Sequence, residues 1–513
     1  MRNFVLVSLA LASAAGAQSP NVYSEMHWRA IGPTRAGRAR AVSGVTSQPN
    51  VAYIGFDNGG VWRSTDYGST WRPLFDAQST GSIGAIAVAP SDPNIIYVGS
   101  GAGIIRPDLA VGDGMYKSTD AGRTWTHLGL HDTQMIAMIA VDPKDPNRLF
   151  VAALGHPYGP NEERGVFRST DGGQTFQKVL YKDEYTSAND VRIDPSNPTI
   201  VYATLWQQQQ SFIEGGSFGG ASGGIFKSTD GGTTWSQLTE GLPTVLQANL
   251  GISISNPSTL YATVAGAAAG VPAAPVGFGG GVIGFYKSTD AGAHWTLVNG
   301  AGVTSRAPDN RPLARIGGGD LPTLAVDPKN PNVVYTCSTV FWRTEDGGVT
   351  WSAVRGAPGG DDYQQMWINP NDPNILIVVS DQGGVVSANR GASWSNWYTQ
   401  PTAAMYHVST DNTFVYRVCG GQQDSGSACV DSRSMDGEIT FHDWHPVNIQ
   451  EYGIAAPDPR DADLVFGSMR QGVSLYNRHT GQTTLVGPDM SGKLPNGGAM
   501  NRNVRTMPIS WRG

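Results

Sequence analysis

Charge is scarce in this chain. Only 15% of its 513 residues are Asp, Glu, Lys or Arg, the net charge is −7, and there is no basic run. The electrostatic footprint of a nucleic-acid partner is therefore missing. Cysteine is scarcer still, at three residues. An odd count with no Cys/His pairs at tight spacing argues against structural zinc. His442-Asp-Trp-His445 is the nearest approach to a metal motif, and it reads as two polar loop residues. Neither metal nor cofactor is expected. Long apolar runs are also lacking: only Phe4–Ala12 qualifies, and it is too short to span a bilayer. Met1-Arg2-Asn3 precedes that run and Ala15-Gly16-Ala17 follows it. This is the pattern of a secretory signal peptide, residues 1–17, with Gln18 as the mature start. A secreted or periplasmic protein with no membrane span is expected. In an oxidising compartment Cys419 and Cys429 could staple the loop between them, while Cys337 lies in an apolar strand.

What the chain has in abundance is glycine, 66 residues, much of it in a repeated octapeptide. Ser64-Thr-Asp66-Tyr-Gly68-Ser-Thr-Trp71 is the first copy. Asp120, Asp171, Asp230 and Asp290 centre four more, Asp346 a sixth, and Asn389 a worn seventh. The central residues are spaced by 54, 51, 59, 60, 56 and 43. A period near 50 means one supersecondary unit repeated, each burying its apolar face on its neighbour. The Asp suits a turn, where a short carboxylate accepts backbone N–H groups that lack ladder partners. The Gly two residues on supplies a backbone conformation other residues resist. The closing Trp packs between units. These aspartates read as structural.

A second motif precedes each octapeptide: an apolar strand, Asp/Asn-Pro, then Pro-Asn and a strand rich in Val, Ile and Tyr. Val141-Asp-Pro-Lys-Asp-Pro-Asn147 and Val326-Asp-Pro-Lys-Asn-Pro-Asn332 are examples. Proline cannot donate to a ladder, so these are turns bounded by strands. Each unit then holds four antiparallel strands, a propeller blade. The expected fold is all-β: a lead-in at 18–35, a seven-bladed propeller over 36–398, and a partial second propeller of about two blades over 399–513. The chain reads as truncated relative to a longer two-ring form, with Val465, Phe466, Leu475 and Tyr476 exposed in the incomplete ring. A single ring of nine or ten blades is the alternative.

In such a blade the octapeptides share one rim, and the turns joining the second and third strands lie on the other. Those turns vary most in length. The loops of the third and fourth units carry His156, Tyr158, Glu162, Glu163, Arg164 and Trp206, a mixture of aromatic and polar groups suited to sugar or peptide recognition.

The octapeptide resembles the Asp box, or BNR repeat, of sialidases, sortilin-type receptors and xyloglucan-degrading propellers. With Asn161–Arg168 and Tyr416–Asp424, the chain is similar over nearly all its mature length to bacterial secreted BNR-repeat, sortilin-like (VPS10-type) "glycosyl hydrolases". The tandem-propeller xyloglucanases are the relatives with chemistry. Their base lies in a Tyr-x-x-x-Asp-x-Gly-Gly stretch, matched here by Tyr53-Ile-Gly-Phe-Asp57-Asn-Gly59-Gly60. Their acid lies at the corresponding turn of the second ring's first blade, held here by Asp424, though Gln-Asp-Ser-Gly-Ser departs from Asp-x-Gly-Gly at the final glycine. Asp381, in Ser-Asp-Gln-Gly-Gly, fits that pattern better but belongs to the seventh blade. The resemblance implies two carboxylates facing one cleft at about 6.5–9.5 Å, the inverting spacing. Asp followed by x-Gly-Gly is also simply a good hairpin turn. Two functions follow: a secreted glycoside hydrolase on polysaccharide, or a non-catalytic sortilin-like propeller binding an extracellular peptide or glycan. A sialidase fits less well, for it needs an arginine cluster and a Tyr/Glu pair on six blades.

Overall fold

Nine antiparallel sheets of three or more strands follow one another along the described part of the chain, with one two-stranded hairpin, Gly300–Ala301 with Thr304–Ser305, between the fifth and sixth. The computed structural model describes residues 26, 29–105, 110–210, 217–218, 220–267, 282–301, 304–310, 313, 323–469, 472–487 and 508–509. Residues 1–17, expected to be a signal peptide, and parts of the lead-in, of the loops in the second, fourth and fifth units, of the stretch before the sixth, and of the C-terminal segment lie outside the described residues.

The first sheet is Ala39–Val45, Gln48–Phe56, Gly60–Ser64 and Arg72–Pro73, hydrogen-bonded in that order. Sheets two to six repeat it, starting at Ile83, Ile136, Thr186, Val245 and Leu324. The seventh has three strands, Tyr363–Ile368, Leu376–Ser380 and Gly383–Ser387, where four were expected. After its octapeptide the chain turns into a short 3₁₀ helix, Trp397–Thr399, capped by Asn396. The eighth sheet runs from Ser409 to Pro446 and the ninth from Ala455 to Leu485, with four strands each.

The inner strands are buried along almost their whole length, as in Leu149–Ala153, Leu260–Gly266 and Leu376–Ser380, because the sheets are covered on both faces by their neighbours. Tyr53 and Val61 of the first sheet pack on Ile86 and Val98 of the second. The same join recurs through Tyr97 with Val151, Phe150 with Val201, Tyr202 with Leu260, Tyr261 with Val334, and Tyr335 with Val378. Ile377 and Val379 of the seventh sheet then pack on Ala39 and Ile54 of the first. The contacts thus run from sheet one to sheet seven and back to sheet one. Cys419 and Cys429 sit opposite each other on adjacent strands and are disulfide-bonded. They tie two strands of the eighth sheet together, and Val465 of the ninth packs beside them. Val465 is therefore fully buried, against the expectation of exposure, because the eighth sheet covers it; Phe466, Leu475 and Tyr476 are half-buried.

The octapeptides are turns between the third and fourth strand positions. In the second, Thr124 N–H donates to Asp120 Oδ1 at 2.9 Å, Thr124 Oγ1 to Oδ2 at 2.7 Å, and Gly122 N–H to Ser118 Oγ at 2.8 Å. The pattern repeats at Asp66, Asp171, Asp230 and Asp346. At Asp290, His294 replaces the Thr hydroxyl. Asn389 reproduces it with its amide, donating to Ser393 Oγ at 2.8 Å. Asp142, Asp194 and Asp327 of the Pro turns are buried and accept N–H groups two residues on.

Candidate functional site

Asp57, Asp381 and Asp424 each occupy the turn between the second and third strands of their sheet: the first, seventh and eighth. In a meander that is the edge away from the octapeptides. Sheets one and seven are neighbours, and the eighth meets them at their junction. Ala36 bridges Ala403 in parallel, and Gln423 N–H donates to the carbonyl of Ala404 at 2.9 Å. Three turns distant in sequence therefore converge.

Arg38, just before the first strand, lies at the centre. Its Nε and one terminal nitrogen donate to the two oxygens of Asp381 at 3.0 and 2.7 Å, and Asp381 is fully buried. The same Nε lies 3.5 Å from Asp57 Oδ2, and Asp57 is 3% exposed. A buried fork of this kind is strong only when its remaining hydrogen-bonding capacity is met. Gln364 and Gln423 amides supply further donors to Asp381 at 3.1 and 2.8 Å. Gln423 also donates to Asp424 Oδ2 at 3.2 Å. The carboxylates of Asp362, Asp381 and Asp424 approach within 4.8 Å of one another.

Asp424 sits at φ +46°, a left-handed position that the tight Gln423-Asp424-Ser425 turn requires. Its N–H donates to Glu451 at 2.8 Å. The residue reaches solvent, but its carboxyl is enclosed by Asp381, Gln423 and Glu451. That enclosure pushes the carboxyl above the ordinary carboxylate value, and the charge of Glu451 adds to the rise. Hydrogen bonds with Asp381 and Gln423 and the charge of Arg38 oppose it.

Two cavities flank this cluster. One, of about 310 Å³, is lined by Arg38, Phe56, Asp57, Tyr406 and Gln423 among others. The other, of about 240 Å³, is lined by Arg35, Asp361, Gln382, Trp397, Tyr398 and Asp424 among others. Asp57 and Asp424 thus line adjoining cavities and not a single one; Gln423, a wall of the first, is bonded to Asp424 of the second.

The loop residues expected to bind ligand lie elsewhere. Trp206 is 1% exposed, packed with Ile104, Ile105, Met135 and Leu154, so its face is not offered for stacking. Arg164 is wholly buried and clips its own loop, donating to the carbonyls of His156 and Gly159 and to Ser187 Oγ. His156 bonds Asp132 at 3.1 Å. Tyr158 and Glu162 are exposed and Glu163 half-buried. Arg38, Gln364, Gln423 and Glu451 escaped the sequence reading. The one available signal was the run Arg35-Ala-Gly-Arg38-Ala-Arg40 in so weakly charged a chain.

This is an all-β chain of repeated four-stranded sheets with Asp-box turns, and it matches the family model described as Sortilin, neurotensin receptor 3 over residues 59–179 and 113–261. Among individual proteins it is similar to a xyloglucanase of Acetivibrio thermocellus, 27% identical over 357 residues, covering 60% of this chain and 37% of that one. It is also similar to a xyloglucanase of Hypocrea jecorina, 24% identical over 533 residues, covering 89% of this chain and 58% of that one. The chain therefore spans less than two thirds of the length of these relatives. Among solved structures it resembles the GH74 xyloglucanase from Xanthomonas campestris, with a TM-score of 0.57 and 18% identity, covering 92% of this chain and 76% of that chain. At that identity the likeness speaks for the fold.

Proposed function

We propose that the chain is an exported glycoside hydrolase acting on polysaccharide. In this reading residues 36–398 form a closed seven-bladed propeller, and 399–513 begin a second ring that lies against it. The return of the packing from sheet seven to sheet one supports the ring. The xyloglucanase relatives support the substrate class.

The observation that carries the reading is the convergence of Asp57, Asp381 and Asp424 around Arg38. Asp57 acts as general base. Its carboxylate, with Oδ2 3.5 Å from Arg38 Nε, takes a proton from water. That water attacks the anomeric carbon. Asp424, whose surroundings favour the protonated form, gives its proton to the leaving glycosidic oxygen as the C–O bond breaks. Asp381 touches neither reacting atom; it holds Arg38 and stands beside the acid.

Reducing-end release from a polysaccharide panel tests this. Asp57→Asn should abolish hydrolysis while glycan binding persists; wild-type turnover in that variant would remove the assignment. Because the Asp424 carboxyl lies above its ordinary value, the rate should fall as pH rises through that raised value. Glu451→Gln removes a like charge and should move the fall to lower pH.

Two observations favour the second reading, a non-catalytic recognition propeller for peptide or glycan. Asp57 is buried, and the two carboxylates line separate cavities. Retained ligand binding with no turnover on any polysaccharide would make that the better account.

A further inference from the structure

The cation in the third strand of most units has a fixed target in the next. Lys117 donates to the Gly172 carbonyl at 3.1 Å, Arg168 to that of Gly231 at 2.8 Å and Lys227 to that of Ala291 at 2.8 Å. Lys287 reaches Asn332 Oδ1 at 3.3 Å, and Arg343 the Arg390 carbonyl at 3.4 Å. The matching residue of the first unit, Arg63, breaks the pattern. Among the described residues it has no hydrogen bond and no ion pair, and its buried Nε is unpartnered. Its guanidinium lies 5.6 Å from the Tyr53 ring centre. The Ala121 carbonyl, equivalent to the Ala291 carbonyl that Tyr202 and Lys227 share, receives the Tyr53 hydroxyl at 3.2 Å but not Arg63.

Arg63 faces a cavity of about 260 Å³ between the first two sheets, lined also by Tyr53, Gln48, Asn94 and Arg123. The cavity lies on the octapeptide edge, away from Asp57, Asp381 and Asp424. Arg123, an exposed residue of the second octapeptide, uses only Nε, on the Asp120 carbonyl at 3.0 Å. No carboxylate lines the cavity. Asp92 and Asp120, which adjoin the lining in sequence, are engaged by Asn94 and by Ser118 and Thr124. Elsewhere on this edge a turn carboxylate offsets an arginine: Asp142 pairs with Arg148 at 2.7 Å and Asp327 with Arg390 at 3.0 Å. The equivalent position is Thr46 in the first unit and Ala89 in the second. Two guanidiniums without a counter-charge therefore meet at one cavity, in a chain whose net charge is −7. A buried donor left without a partner is costly, and an anionic ligand would relieve it.

We propose that this cavity binds a uronate, its carboxylate held between the guanidiniums of Arg63 and Arg123 and its hydroxyls met by the amides of Gln48 and Asn94. A planar guanidinium matches a carboxylate with two parallel hydrogen bonds. Side-chain amides offer both donors and acceptors, as hydroxyls require. About 260 Å³ is below the span of drug-sized pockets and suits one ring. The same chemistry comes from a free sugar acid or from one residue of an acidic polysaccharide. The assignment does not rest on hydrolysis at Asp57 and Asp424, which lie on the opposite edge.

The test is calorimetric titration of the full chain with galacturonate, trigalacturonate and neutral galactose. Both acids should bind and galactose should not. Equal affinities for the acids point to a free sugar acid, and tighter binding of the trisaccharide to a residue within a polymer. Arg63→Gln and Arg123→Gln should each weaken binding roughly tenfold, and added salt should weaken it in the wild-type chain. Arg123→Gln should leave the melting temperature unchanged, because the side chain is exposed, so its lost affinity is not lost folding. Arg63→Lys restores the residue of the second, fourth and fifth units. Its ammonium should turn to the Ala121 carbonyl, keeping the melting temperature while weakening uronate binding. No binding of either acid, equal binding of galactose, inorganic sulfate bound in preference to uronate, or unaltered affinity in both Gln variants would overturn the site.

Discussion

The Asp-box carboxylates are held well below their ordinary value. At Asp120, Asp171 and Asp346 the hydrogen bonds from the Thr hydroxyl and N–H four residues on lower it to about 2. A carboxyl depressed on folding stabilises the protein above its unfolded value near 3.9, and that contribution is lost as pH falls toward about 2. Asp171→Asn should therefore keep the turn, as Asn389 already does, while reducing the loss of melting temperature between pH 4 and pH 2. Asp171→Ala should lower the melting temperature at neutral pH as well. The turn also holds a second strained position. Tyr67, Ala121, Ala291 and Arg390, directly after the central residue, all have φ near +60°. The glycine one place later was legible in the sequence because it recurs in every copy. The position before it was not, because its side chains vary and some boxes carry glycine there too. Ala121→Gly should stabilise the protein by about 1 kcal/mol in urea unfolding, by removing left-handed strain.

Single elements join to their neighbours by a device that the repeat pattern concealed. Tyr97 donates to the Pro146 carbonyl and Lys117 to that of Gly172, both in the next unit, and the Lys ammonium lies 5.3 Å from the Tyr ring centre. Tyr202 and Lys227 grip Ala291 in the same way. The Tyr and the Lys were visible in the strand motifs, but their shared target, the neighbour's turn, appears only once sheets are stacked. The loop residues show the opposite failure. Arg164 and Trp206 looked like recognition groups because long loops often carry function, yet a guanidinium can equally collect a loop's own carbonyls. Arg164→Ala should cost roughly 2–4 kcal/mol by orphaning those groups. It should also make residues 155–164 the first site of limited proteolysis.

Across the whole molecule, the architecture was readable because box, Pro turn and strand are each local in sequence and seven near-copies reinforce one another. The centre of the candidate site was not, since Arg38 and Asp381 are 343 residues apart. No local pattern links an arginine just before the first strand to an aspartate in the seventh unit. Arg38→Ala leaves the buried Asp381 carboxylate without its fork and should destabilise the protein by roughly 3–5 kcal/mol. Arg38→Ala with Asp381→Ala should recover part of that loss in a double-mutant cycle.

The Arg38–Asp381 pair also has a kinetic meaning. During synthesis the inner strand Ala39–Val45 emerges early, but its partners Ile377 and Val379 are made more than 330 residues later. In the proposed ring, the nascent chain is until then an open arc with one uncovered apolar flank. Drawing its ends together carries an entropic cost of about 5 kcal/mol for a loop of this length. The final ion pair is therefore a clasp that can shut only when nearly the whole arc exists. A growing chain halted before residue 376 should be held by chaperones and prone to pair flank to flank with another copy, whereas one released after the clasp should not.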